Sequence, residues 1–184
     1  MRATRPNELW GIDMTKVMIE NFGWVYLVIV IDWYTKKIVD YSSCLQSKTY
    51  DWHDWLDALD MALNNEFADG VRGHKLKLMS DNGSQPTSTE FIRSCGEIGI
   101  KQVFTSYNNP KGNVDTERVI RTLKEDCVWP HNFTRVDEFE TKLEGWIKNY
   151  NEDYPHSSLG YKTPSECLAD YYKNEVRLSF GASA

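Results

Sequence analysis

Positive charge is what this sequence is short of. Its 184 residues hold 21 lysines and arginines against 27 aspartates and glutamates, a formal net charge of −6. Proteins that coat nucleic acid non-specifically take their affinity from a cationic excess facing the phosphate backbone, so that class is excluded. Long apolar runs are also missing: the stretch at residues 25–31 falls far short of the roughly 18 residues needed to span a bilayer, and no basic-then-apolar leader opens the chain. The expectation is a soluble, cytoplasmic protein without an export signal. Cysteine is sparse, and Cys44, Cys95, Cys127 and Cys167 form no CxxC pair and no zinc-finger spacing with histidine. They are expected to be reduced, partly buried thiols. Neither an internal repeat nor a low-complexity segment is present. What remains, 41% hydrophobic and 13% aromatic residues, suffices for one real core in a chain too short for two.

The pattern of those residues changes along the chain. Residues 10–17 and 24–32 read as strands joined by a turn at 20–23, and Ile38, Val39 and Tyr41 suggest a third strand after a polar turn at 33–37. Asp32, at the exit of the second strand, is expected to cap that turn. Between residues 49 and 67 the period becomes helical through Trp52, Trp55, Leu56, Leu59 and Leu63, with Asp51, Asp54, Asp57 and Asp60 on another face. A solvated helix face explains these aspartates better than a metal comb, because the glycine of a calcium loop is absent; His53 reads as a surface histidine. A strand at 76–79, a helix at 88–97 ended by Gly99, a strand at 100–104 and a helix at 114–127 follow. Helical segments at 136–150 and 164–172, separated by a loop at 155–160, close the chain. Three strands in a meander, then strands alternating with helices, imply parallel neighbours beside the meander and so a mixed α/β sheet.

Three carboxylates stand where packing would not choose them. Asp13 lies inside the first strand between Ile12 and Met14, and Asp81 lies at the carboxyl end of a strand, where α/β sheets gather ligands. Glu117 lies in the first turn of a helix after a polar, glycine-containing loop. Singly, a turn cap or a favourable helix-dipole contact accounts for such residues. Together, two strand carboxylates and one helix carboxylate at one sheet edge can hold two magnesium ions about 4 Å apart, the arrangement that clamps attacking and leaving oxygens in phosphoryl transfer. Magnesium suits hard oxygen ligands and keeps several waters.

The segments Trp10-Gly11-Ile12-Asp13-Met14-Thr15 and Ser80-Asp81-Asn82-Gly83-Ser84, with Asn109-Pro110 followed by Glu117, resemble the catalytic core shared by retroviral integrases and bacterial insertion-sequence transposases of the DDE type. Thirty-five residues separate Asp81 from Glu117, the spacing typical of that group. Tyr150-Asn151 and the run 155–161 with Thr163-Pro164 look like the tail of the transposase branch. The resemblance covers residues 5–172, split into sheet and active-site helix (5–130) and helical tail (131–172), with 1–4 and 173–184 as flexible ends. It implies a ribonuclease-H-like fold, a five-stranded mixed sheet flanked by helices with a helical C-terminal tail.

By that resemblance Asp13, Asp81 and Glu117 are the catalytic metal ligands. They would hold two Mg2+ ions, with Mn2+ able to substitute, for cleavage and strand transfer of transposon DNA ends by a homo-oligomer. Arg121 and Lys124, on the helical face of Glu117, would bind DNA phosphates or simply form a solvated basic face. Lys111, Asn113 and Gln85 would touch DNA from neighbouring loops, or express ordinary loop polarity. Tyr154 departs from the pattern, which generally has arginine before Pro155, and His156 would contact DNA or cap a carboxylate. No zinc cluster or helix-turn-helix precedes Asp13, so an N-terminal end-recognition domain is expected to be missing, and residues 1–5 read as the start of an excised fragment. Two rivals remain: a hydrolytic nuclease of the same fold, and a non-catalytic DNA-binding or assembly module. The acidity itself is local. Residues 51–69 carry six carboxylates and no lysine or arginine, the whole net charge, whereas residues 101–124 carry five basic residues against two acidic ones.

Overall fold

The structure, a computed structural model, describes residues 2–45, 51–105 and 110–181. Its elements run β1 (Leu9–Ile19), β2 (Gly23–Asp32), β3 (Ile38–Leu45), α1 (Trp52–Glu66), β4 (Lys77–Ser80), α2 (Thr89–Ile98), β5 (Lys101–Phe104), α3 (Val114–Leu123), α4 (Val136–Asp153) and α5 (Pro164–Gly181). One five-stranded sheet has the order β3-β2-β1-β4-β5, with β1 to β3 an antiparallel meander and β4 and β5 parallel to β1. This is the mixed sheet expected from the alternation of periods.

Side-chain alternation assigns each sheet face to its own helices. Trp10, Ile12, Val28 and Val30 bury against α1 and α2, while Val17, Ile19, Val25, Leu27, Ile29 and Ile31 bury against α3 and α4. The result is a three-layer sandwich. Asp13 belongs to the odd-numbered set, so this carboxylate lies on the α3 face, between Gly11 and Thr15 along β1 and opposite Ile29 of β2.

Local chemistry sets the helix ends. Asp51 caps α1, accepting from the His53 N–H while Asp54 accepts from the Asp51 N–H, so two of the four spaced aspartates form a capping box. Ser88 caps α2 and Gly99 ends it at φ 89°, a left-handed conformation that glycine adopts without strain. Thr163-Pro164 of the tail opens α5 through a second box: the Thr163 N–H donates to Glu166, and the Glu166 N–H to the Thr163 hydroxyl.

The structure departs from the sequence reading in three places. Ala3, expected in a flexible end, is buried with Leu9, Trp33 and Met79, and Thr4 donates twice to Glu8. The last helix does not stop at Tyr172 but continues to Gly181, since no breaker intervenes; Val176 and Leu178 face solvent, so the apolar period that marks its start fades. The helix after residue 114 is α-helical only to Leu123 and turns π-helical over Lys124–Val128, burying Cys127. Thiols follow expectation: Cys44, Cys95 and Cys127 are buried, Cys167 is half-buried and no disulfide forms among the described residues. No helix among the described residues is long and apolar enough to cross a membrane.

Candidate active site

Parallel pairing brings two of the three carboxylates together. Gly11 is level with Met79 across β1 and β4, and continuing that register by two residues sets Asp13 level with Asp81, just past the end of β4. Asp81 is exposed and accepts from the Gly83 N–H at 2.9 Å, closing a tight turn held by Asn82, whose amide donates to the Thr105 carbonyl. Glu117 approaches from the other direction, exposed in the first turn of α3.

Asp13 reports the convergence. Its carboxyl is raised from 3.8 to about 6, first by burial, then by the negative charges of Asp81 and Glu117; the Met14 N–H and the charge of Lys124 pull the other way. Asp81 and Glu117 are thus near enough for their charges to act on Asp13. They do not close into a grip: among the described residues no group of three or more His, Cys, Asp or Glu side chains is arranged to hold a metal ion as it stands. The surroundings nonetheless favour hard-cation chemistry. Two buried oxygens without hydrogen-bond partners lie on the Asp13 face of the sheet: Thr15 Oγ1, two residues along β1, and Asn113 Oδ1, whose amide touches Asp13. Oxygen donors left over beside paired carboxylates fit the hydration shell of an ion such as magnesium.

The other candidates divide. Lys124 is half-buried and near enough to act on Asp13. Arg121 is exposed and pairs with Glu125 one turn on, at 2.7 Å. Gln85, half-buried in the loop after Asp81, accepts from the Ser84 hydroxyl. Asn113 contradicts its placement on a DNA-facing loop: it is 2% exposed, with its amide 3.5 Å from Asp13 Oδ2, because α3 packs against β1 at this point. The side chain of Lys111 lies outside the described residues, as does Asn109. Among the described residues His156 caps no carboxylate; it is half-buried against the rings of Tyr150 and Tyr154, and burial, with the charge of Lys36, pulls its pKa down. Tyr154 stacks on Tyr150.

Several residues that shape the site are silent in the sequence. The turn after β2 carries Trp33, whose indole N–H donates to the buried Thr116 hydroxyl at 3.0 Å, and Lys36, which pairs with Asp115 at 2.9 Å. Asp32 holds this turn as expected, accepting from the N–H groups of Asn7, Tyr34 and Thr35 and from the Thr35 hydroxyl. Gly11 is the one available signal. A lone glycine in an apolar strand marks close approach, and a Cβ there would land on Thr116 Oγ1 and Trp33 Nε1.

The architecture is a mixed α/β sheet between helical layers, with acidic side chains at the ends of adjacent parallel strands and a third at the start of the helix packed on them. Residues 3–110 match the integrase core domain family and residues 98–164 match a second integrase core domain family, so the chain belongs to the integrase core domain proteins. Among curated relatives, the transposase for insertion sequence element IS904 of Lactococcus lactis is 30% identical over 90% of this chain and 62% of its own length. The putative transposase InsK for IS150 of Escherichia coli is 29% identical, covering 95% of this chain and 57% of that protein. The chain thus spans about half to three-fifths of the length of such relatives. In fold it is similar to the simian T-cell lymphotropic virus intasome (TM-score 0.70, 18% identity, 91% of this chain and 56% of that one). The HTLV-2 integrase catalytic core domain in complex with magnesium has a TM-score of 0.60 at 20% identity, covering 91% of this chain and 99% of that one. Both show the ribonuclease-H-like fold.

Proposed function

We propose that this chain is the catalytic core of an insertion-sequence transposase, cleaving and joining DNA ends with divalent metal, and that residues 5–172 are its functional extent. The observation that carries the reading is placement: the β1–β4 register sets Asp13 level with Asp81, and the Asn113 amide at the start of α3, four residues before Glu117, lies 3.5 Å from Asp13. Asp13, Asp81 and Glu117 would hold two Mg2+ ions, with Mn2+ as substitute. When bound, the ions supply Lewis-acid activation of the attacking oxygen and charge relief for the leaving one.

The protein's own contribution is placement and charge. The Met14 N–H fixes one oxygen of Asp13 and the Asn113 amide contacts the other, which sets the plane of that carboxylate. The Gly83 N–H does the same for Asp81. Lys124 offsets the carboxylates and, with Arg121, Gln85 and Lys111, would meet the DNA backbone. Asn113 is better assigned to positioning Asp13 than to touching DNA. No covalent protein intermediate is required, since water and then a DNA 3′ hydroxyl serve as nucleophiles in turn. A homo-oligomer acting on two ends, in a cytoplasmic setting, completes the proposal.

The test is Mg2+- or Mn2+-dependent joining of oligonucleotides bearing the element's ends. Asp81→Asn should abolish it while circular dichroism stays native. Retained joining in that variant would sink the assignment, and metal-dependent loss of the RNA strand from hybrids without joining would favour the hydrolytic reading.

A further inference from the structure

The β2–β3 turn is joined to the start of α3 by two side-chain tethers, and they fall on the two residues immediately before Glu117. Trp33 is 6% exposed and Thr116 fully buried, and their hydrogen bond at 3.0 Å links positions 83 residues apart. Lys36 reaches Asp115 at 2.9 Å while also donating to the Trp33 carbonyl at 2.7 Å. We infer that this turn is a positioning device for Glu117: Trp33 and Lys36 set how far α3 stands from β1 and how it is rotated.

Three features support this assignment, which rests on the proposed role of Glu117. The turn is itself over-determined. Three hydrogen bonds from Tyr34 and Thr35 to Asp32 hold it from within, and a fourth comes from the Asn7 N–H before β1. Its Trp33 N–H donates to the Leu9 carbonyl at the start of β1, the strand of Asp13. From the far side, the Tyr150 hydroxyl donates to the Lys36 carbonyl, and the Asn151 side chain both accepts from and donates to the Ile38 backbone. The Tyr150-Asn151 pair of the tail therefore braces a turn far from it in sequence.

The second feature is angular. Successive residues on an α-helix point about 100° apart, so fixing Asp115 and Thr116 in two directions leaves α3 no rotational freedom, and the direction of Glu117 follows. The third is charge. Asp115 is a carboxylate two residues from Glu117 that could compete for a cation; its ion pair with Lys36 engages it away from the site. Gly11 completes the joint, because only a residue without Cβ lets β1 lie this close to Thr116 and Trp33.

The experiment uses Thr116→Val, which keeps shape and removes the hydroxyl, Thr116→Ser, which restores it, and Lys36→Met, which frees Asp115. Mn2+ affinity by calorimetry and joining kinetics are measured on the whole chain, with Asp81→Asn as control. Thr116→Val and Lys36→Met are expected to weaken Mn2+ binding about 10-fold and lower kcat about 10- to 100-fold, the size of losses seen when supports of a metal ligand are removed. DNA affinity and KM should stay within about twofold, and Thr116→Ser should behave as wild type. If Thr116→Val and Lys36→Met bind Mn2+ like wild type while Asp81→Asn does not, the positioning role is overturned and the transposase reading stands. If wild type and Asp81→Asn bind Mn2+ equally, both fall together.

Discussion

Replacing Asp13 by asparagine should make the metal-free protein more stable at neutral pH, because the wild-type side chain is held charged where charge is unwelcome. Its carboxyl rises from 3.8 to about 6 on folding, through burial first and the neighbouring carboxylates second. A tenfold change in proton affinity corresponds to about 1.4 kcal/mol, so ionised Asp13 costs the fold about 3 kcal/mol above pH 6. The sign follows from proton uptake. A group whose folded pKa is raised adds stability fully below its unfolded value and loses it as pH climbs through the folded value, here between about pH 4 and 6. Asparagine removes this dependence at little steric cost. Its oxygen can still accept from the Met14 N–H, and Asn113 can turn its unpartnered Oδ1 toward the new amide. The assay is urea unfolding in EDTA from pH 8 to pH 4. Asp13→Asn should exceed wild type by about 3 kcal/mol at pH 8, about 6 to 12 °C in Tm for a chain of this size, and the gap should close near pH 4. Equal stability at pH 8, or a gap that persists at pH 4, refutes the raised carboxyl of Asp13.

Gly11→Ala should cost about 2 to 5 kcal/mol in thermal or urea unfolding, combining overpacking against Thr116 with loss of the Trp33 hydrogen bond. Its joining activity should fall about 100-fold at temperatures where it remains folded. Asp32→Asn should cost about 2 kcal/mol by the same unfolding measurement, since one oxygen can keep the Tyr34 and Thr35 donors while the new amide faces the Asn7 N–H. Arg121→Ala should leave Tm unchanged, its partner Glu125 being exposed, yet flatten the log–log salt dependence of DNA binding by a slope of about 1 in a titration series.

The order of elements is legible in the sequence because strand and helix periods alternate after the opening meander, and Asp13 and Asp81 stand out because a carboxylate inside a strand or at its end has little packing value. Asp32 is legible for a related reason: a carboxylate leaving a strand has backbone N–H groups ahead of it to accept from. Asn113 misleads, since loop and helix start look alike in polarity, and only the packing of α3 on β1 shows it buried. Trp33, Lys36 and Thr116 give no local sign, because their partners lie about 80 residues away and no pattern of neighbouring residues encodes a contact at that range. The tail motif shows the same limit from another side. Its Thr163-Pro164 can be understood locally as a helix start, whereas Tyr150 and Asn151 acquire their meaning only against the turn they brace.

That three carboxylates from two strands and one helix act as a single metal centre can be tested by soaking crystals of the protein with Mn2+ and recording anomalous scattering. Density is expected within coordination distance of Asp13, Asp81 and Glu117 together, lost in Asp81→Asn. Manganese bound elsewhere, or at Asp13 and Asp81 with Glu117 uninvolved in the presence of DNA ends, would contradict a single centre.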